Sequence, residues 1–151
     1  MEKEVVTMSN EDIRKFYKYL SHKKESELRL IRPRWKEEPK LPVTIFVNNE
    51  NEFVNAIKKY DGELNIYVGI NERKTGGNKD DDIEKITCIG HDIDAHSDVE
   101  NSIEISKNCA EWIREDMITR GYKEPLVLCS GRGYWVIHKV PGIENTYDNV
   151  K

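Results

Sequence analysis

The sequence predicts a mixed α/β (α+β) chain folded as one domain, on three observations. Six short runs, Leu28–Arg32, Val43–Val47, Leu64–Ile70, Ile86–Asp94, Leu126–Cys129 and Tyr134–Val140, are mostly apolar or alternate apolar with polar, as strands do. Three longer stretches repeat apolar residues at helical spacing. A length of 151 residues leaves room for one core and little more.

Ser9-Asn-Glu-Asp12 opens like a capped helix, with Ile13, Phe16, Tyr17 and Leu20 along one stripe. From Leu28 to Arg32 leucine alternates with arginine, the pattern of a half-exposed strand, and Pro33 ends it. Val43–Val47 is a second strand. Asn49 or Asn51 can cap a helix carrying Phe53, Val54, Ile57 and Tyr60, closed by Asp61-Gly62. Leu64–Ile70 is a third strand. Residues 72–82 hold Lys-Thr-Gly-Gly-Asn-Lys and three aspartates, the composition of a mobile loop. Ile86–Asp94 is the fourth strand. A long helix is expected from Ser97 to Arg120, with Ile105, Cys109, Trp112 and Ile113 on its inward face and Gly121 as its stop. Two strands close the fold, Pro141-Gly142 ends the pattern, and residues 141–151 read as a frayed polar tail.

The net charge of −4 does not advertise a nucleic-acid binder, which normally shows a basic face. Basic residues nonetheless gather early, at Arg14, Lys15, Lys18, Lys23, Lys24, Arg29, Arg32, Arg34 and Lys36, and acids gather at Asp80–Asp82 and from Asp92 to Glu104. Scattered solvated charge is the plainer account, and a polynucleotide on one side with metal on the other is the alternative. Cys88, Cys109 and Cys129 have no zinc-site spacing and sit in apolar patterns, so buried free thiols in a reducing compartment are expected. No apolar run reaches membrane-spanning length and the charged N-terminus lacks a signal-peptide core, so a cytoplasmic location without a membrane partner is expected.

Two stretches carry chemistry. Asp92 and Asp94 end the fourth strand at i and i+2, so both carboxylates leave one face of a sheet. Like charges held so close raise each other's pKa unless a cation lies between them, and oxygen ligands suit Mg²⁺ or Mn²⁺. A strand that simply ends in a polar turn is the plainer reading. Ser130-Gly131-Arg132-Gly133 joins the last two strands. Its glycines let backbone approach a ligand, Ser130 adds a hydroxyl, and Arg132 adds a guanidinium fork suited to phosphate. A hairpin turn with a solvated arginine explains the tetrapeptide alone. Together the two stretches suggest a metal-bound nucleoside triphosphate. His91 and His96 flank the acids and could support the metal or a phosphate from a second layer.

The pair resembles the first two motifs of the archaeo-eukaryotic primase superfamily, especially primase–polymerases of plasmids and viruses. Members end a strand on Asp-x-Asp or Asp-x-Glu, as Asp92 and Asp94 do, and later carry a Ser-Gly-x-Gly-Tyr-His strand that Ser130 to Trp135 looks like. Leu64–Asn71 is similar to the strand preceding the first motif, and the resemblance covers roughly residues 28 to 140. It implies a mostly antiparallel sheet with flanking helices and an RRM-like catalytic core. It also implies DNA primase or polymerase activity in replication: nucleotidyl transfer from nucleoside triphosphates onto a strand copied from template DNA, beside a helicase or a further primase domain. Asp92 and Asp94 would be catalytic metal ligands, and Ser130, Gly131, Arg132, Gly133 and Trp135 would bind nucleotide.

Two departures stand out. Trp135 occupies the place of the family's phosphate-contacting histidine, and His138, three residues on, points from the opposite face of a strand. The family's third carboxylate lies on a later strand, whereas eleven residues follow Val140 and their one aspartate, Asp148, is too close to serve. The chain is therefore expected to be the N-terminal part of a catalytic domain, or a shortened and inactive descendant. Two alternatives from other classes remain: a non-catalytic nucleotide- or single-strand-binding module, and a metal-dependent nuclease or plasmid replication initiator using His91, Asp92, Asp94 and His96.

Overall fold

The computed structural model describes residues 8–33, 43–96 and 98–146. Arg34, Lys36, Ser97 and Asp148 lie outside them. The fold is α+β: two three-stranded antiparallel sheets and three α-helices among the described residues, rather than one continuous sheet. The chain divides into two compact units, Ile86–Glu144 and the residues on either side of it.

In the first unit, helix α1 (Asn10–Leu20) begins at Ser9, whose hydroxyl accepts the Asp12 amide at 3.1 Å. Helix α2 (Glu50–Tyr60) begins at Asn49, which accepts the Glu52 amide at 3.0 Å. Each side-chain cap satisfies an amide that the first helical turn leaves unpaired. Strands β1 (Ser26–Ile31), β2 (Val43–Val47) and β3 (Asn65–Val68) form a sheet in the order β2-β1-β3, both pairings antiparallel. Leu28, Leu30 and Val47 share one face of it and are buried, with Ile13, Phe16, Leu20, Phe53, Val54 and Ile57 from the two helices completing an apolar core. Phe16 and Tyr17 set their rings against Phe53.

The segment after β3 is not the loose loop its composition suggests. Arg73 pairs with Glu27 of β1, whose side chain is only 6% exposed, and Lys74 N–H donates to Asp82 O at 2.8 Å. A short 3₁₀ turn, Asp80–Asp82, follows. Arg29 Nη2 also reaches Asn78 O at 3.1 Å, so side chains of β1 hold the segment at two points.

The second unit contains most of β4 (Lys85–Asp94), helix α3 (Ser102–Thr119), β5 (Leu126–Cys129) and β6 (Gly133–Glu144), in the sheet order β4-β6-β5. β5 and β6 pair antiparallel from Leu126↔Ile137 to Cys129↔Tyr134. The far end of β6 departs from expectation: it runs through Pro141 and Gly142 to Glu144, and Asn145 N–H then donates to Glu84 O at 3.3 Å. Proline at that point requires only that the strand need no ladder amide there.

Helix α3 corrects the expected inward face. Its buried residues are Ser106 and Ala110, while Ile105, Cys109 and Trp112 are exposed, Trp112 by 66%. Small residues let the helix backbone come close to the sheet; of the expected set Ile113 is half-buried, as is Met117, while Ile103, Ile105, Trp112 and Ile118 are left outside. Of the three cysteines only Cys88 is buried; Cys109 and Cys129 are exposed thiols. No helix among the described residues is long and apolar enough to cross a membrane.

Candidate functional site

Strand alternation sends Asp92 and Asp94 out of one face of β4 and His91 out of the other. Both aspartates are exposed at the end of the strand. Burial, and after it the charge of Asp94, hold the Asp92 carboxyl above the ordinary carboxylate value. Ser106 of α3 donates to the Asp94 carbonyl at 3.3 Å and to Ser102 O at 2.9 Å, tying the strand end to the helix.

Ser130–Gly133 forms the tip of the β5–β6 hairpin. Ser130 N–H donates to Gly133 O at 3.0 Å, and Gly131 adopts φ +84°, which glycine accepts without strain. Ser130, Gly131 and Arg132 are exposed. The tip lies directly against the strand of the acids: Ala95 N–H donates to Arg132 O at 2.9 Å. Gly133 is buried there, and a Cβ on it would strike Ile93 O and stand 3.1 Å from the Asp94 Cα. Glycine is thus needed for close approach of the hairpin to β4, not merely for a turn.

Trp135 and His138 leave opposite faces of β6. His138 stacks on His91, ring centroids 5.1 Å apart and planes within 16°, and Tyr122 sets its edge against it. Trp135 is therefore on the face of the sheet that carries Asp92 and Asp94, and the two histidines are on the other. That other face is also where Tyr134 meets Cys129 and Glu111 of α3, with burial raising its phenol pKa most. His91 and His138 pair with each other instead of supporting the acids from behind, and His96 is exposed in the turn that follows. His91 Nε2 and His138 Nδ1 are buried without a hydrogen-bond partner, and burial, then the neighbouring His91, lowers the His138 pKa.

The donor set suits a divalent cation only in part. Among the described residues no group of three or more His, Cys, Asp or Glu side chains could hold a metal ion. Two carboxylates fit Mg²⁺ or Mn²⁺ when substrate phosphates and water complete the shell, the usual arrangement for Mg²⁺ at phosphate-transfer sites. Sequence reasoning did not find Ser106, Ala95 or the close-packing role of Gly133, because each depends on a neighbour distant in sequence. Compared with known proteins, the chain matches no family model, no curated protein and no solved structure.

Proposed function

We propose that this chain carries the metal and triphosphate half of a primase–polymerase nucleotidyl-transfer site. The supporting observation is the contact of the two motifs, with Arg132 hydrogen-bonded to Ala95 beside an acidic pair that shares a face with Trp135. Asp92 and Asp94 would hold Mg²⁺ or Mn²⁺, which when bound offsets phosphate charge and activates a hydroxyl nucleophile. The Ser130 hydroxyl, the Arg132 guanidinium and the amides at Gly131 and Gly133 would bind the triphosphate and orient its α-phosphorus toward a primer 3′-hydroxyl, with pyrophosphate as the leaving group. Trp135 would lie under the sugar or base.

A second reading, nucleotide binding without transfer, is favoured by the two-carboxylate ligand set among the described residues. Isothermal titration with Mn²⁺ and a nucleoside triphosphate, run beside primer extension on the same sample, separates the two. Metal-dependent triphosphate binding that falls at least ten-fold in Asp92→Asn and in Arg132→Ala is expected under both. Extension is expected under the first alone. Because the cation needs an ionised carboxylate, binding should weaken as pH falls through the raised Asp92 pKa. Triphosphate binding indifferent to Mn²⁺ and to Asp92→Asn would refute both.

A further inference from the structure

We infer that the face of the β2-β1-β3 sheet turned away from its apolar core is a stacking platform for single-stranded nucleic acid. The registers Arg29↔Tyr67, Arg29↔Thr44 and Glu27↔Phe46 put Tyr67, Arg29 and Thr44 in one row across the three strands, with Phe46 in the next row, all opposite the face of Leu28 and Leu30. Tyr67 is 56% exposed although it sits in a strand, and the Arg29 side chain is 42% exposed. Two hydrogen bonds from Arg29 Nη2, to Glu27 Oε1 at 3.3 Å and to Asn78 O at 3.1 Å, hold the guanidinium in place.

The segment that Glu27 and Arg29 hold covers part of this face, and Phe46 beside Glu27 is half-buried. The open part, the Tyr67 ring and the tethered Arg29 guanidinium with the edge toward Phe46, matches the needs of a strand of unpaired bases. Every base has a π-face that stacks on Tyr, Phe or Arg, and the guanidinium also attracts phosphate. A protein partner would need a continuous apolar patch, and here Arg29, Thr44 and the exposed Asn65 interrupt it. The surface argument rests on the first unit alone and does not depend on Asp92 or on the polymerase proposal.

Fluorescence anisotropy of labelled oligo(dT) and oligo(U) with the full chain tests it. Stacking is worth roughly 1–3 kcal/mol per base, so Tyr67→Ala and Phe46→Ala should each weaken binding about five-fold or more, while Tyr67→Phe stays within about two-fold. Arg29→Lys, which keeps the charge and loses the plane, should also weaken it. The preferred oligonucleotide identifies the strand as DNA or RNA. Asp92→Asn should bind oligonucleotide as the parent does, so loss of triphosphate binding there leaves the platform standing. Folded Tyr67→Ala and Phe46→Ala variants that bind both oligonucleotides like the parent, or a parent that binds neither, would overturn the platform and leave the metal site untouched. A Tyr67→Ala change that instead splits a dimer in sedimentation would assign the face to self-association and also overturn it.

Discussion

The two sheets are alike in strand number and pairing but are held together by different chemistry. The first closes over Leu28, Leu30, Phe53, Val54 and Ile57, an aliphatic and aromatic core under two side-chain-capped helices, and its buried polar side chains, Ser26 and Glu27, are partnered by His22 and Arg73. The second buries Cys88, Ala110, Val136 and Ile137 with Ser106 and His138 among them, beneath a helix whose N-cap Asn101 makes no side-chain cap bond. Apolar burial stabilises at roughly 25 cal/mol per Å², whereas a buried polar atom without a partner costs about 1–3 kcal/mol. Stability is therefore expected to reside in the first sheet, and the unpartnered buried polar atoms lie in the second.

The sharpest way to break this contrast is Phe53→Ala. Phe53 is fully buried and touches the rings of Phe16 and Tyr17, so about 3–5 kcal/mol should be lost in urea unfolding. Hydrogen exchange should show the loss in α1, α2 and β1. An effect below about 1 kcal/mol would mean the first core is not the stabilising one. Glu27→Gln comes next. It leaves Arg73, 13% exposed, with the exposed Asp80 at 3.7 Å as its remaining carboxylate, and should cost about 3 kcal/mol with faster exchange across residues 72–82. If that segment exchanges as before, the ion pair does not anchor it.

On the second sheet, Gly133→Ala should cost about 2 kcal/mol, since its methyl group meets the backbone of Ile93. Triphosphate binding should fall with it, and a variant of unchanged stability would show that β4 can withdraw without penalty. The smallest effect concerns pH. The folded-state pKa of His138 lies below its unfolded value, so the unfolded chain binds more protons and stability declines as pH falls through about 6.5 toward the lowered value. His138→Gln should flatten the dependence of the melting temperature on pH below about 6.5. A slope unchanged in that variant would place the titration elsewhere.

Much of the first sheet was legible because its signals are local. Ser9 and Asn49 are polar caps directly before apolar stripes, and the Leu/Arg alternation of β1 already separates a core face from the face of Arg29. β5 was equally plain, an apolar run between Pro125 and Ser130. Helix α3 was misread because Ile103, Ile105, Trp112 and Ile118 crowd its outer surface, while the inward stripe of Ser106, Ala110, Ile113 and Met117 opens with small residues that obscure it. The small size of Ser106 and Ala110 answers the need for close approach, and that is a property of the sheet beneath. Residues 72–82 look like a loop because the partner that holds them, Glu27, is far away in sequence. At the site, strand parity correctly separates Trp135 from His138, but the meeting of Ala95 with Arg132 joins residues no local pattern connects.

The exposed indole of Trp112 has a practical consequence. Its emission should be red-shifted and readily quenched by acrylamide, a bright background that masks the tryptophan beside the acidic pair. Trp112→Phe should strip that background away at little cost to stability, since most of the ring is outside the core, and Trp35→Phe would remove the third tryptophan. Trp135 could then serve as an optical reporter of whatever occupies its side of the sheet.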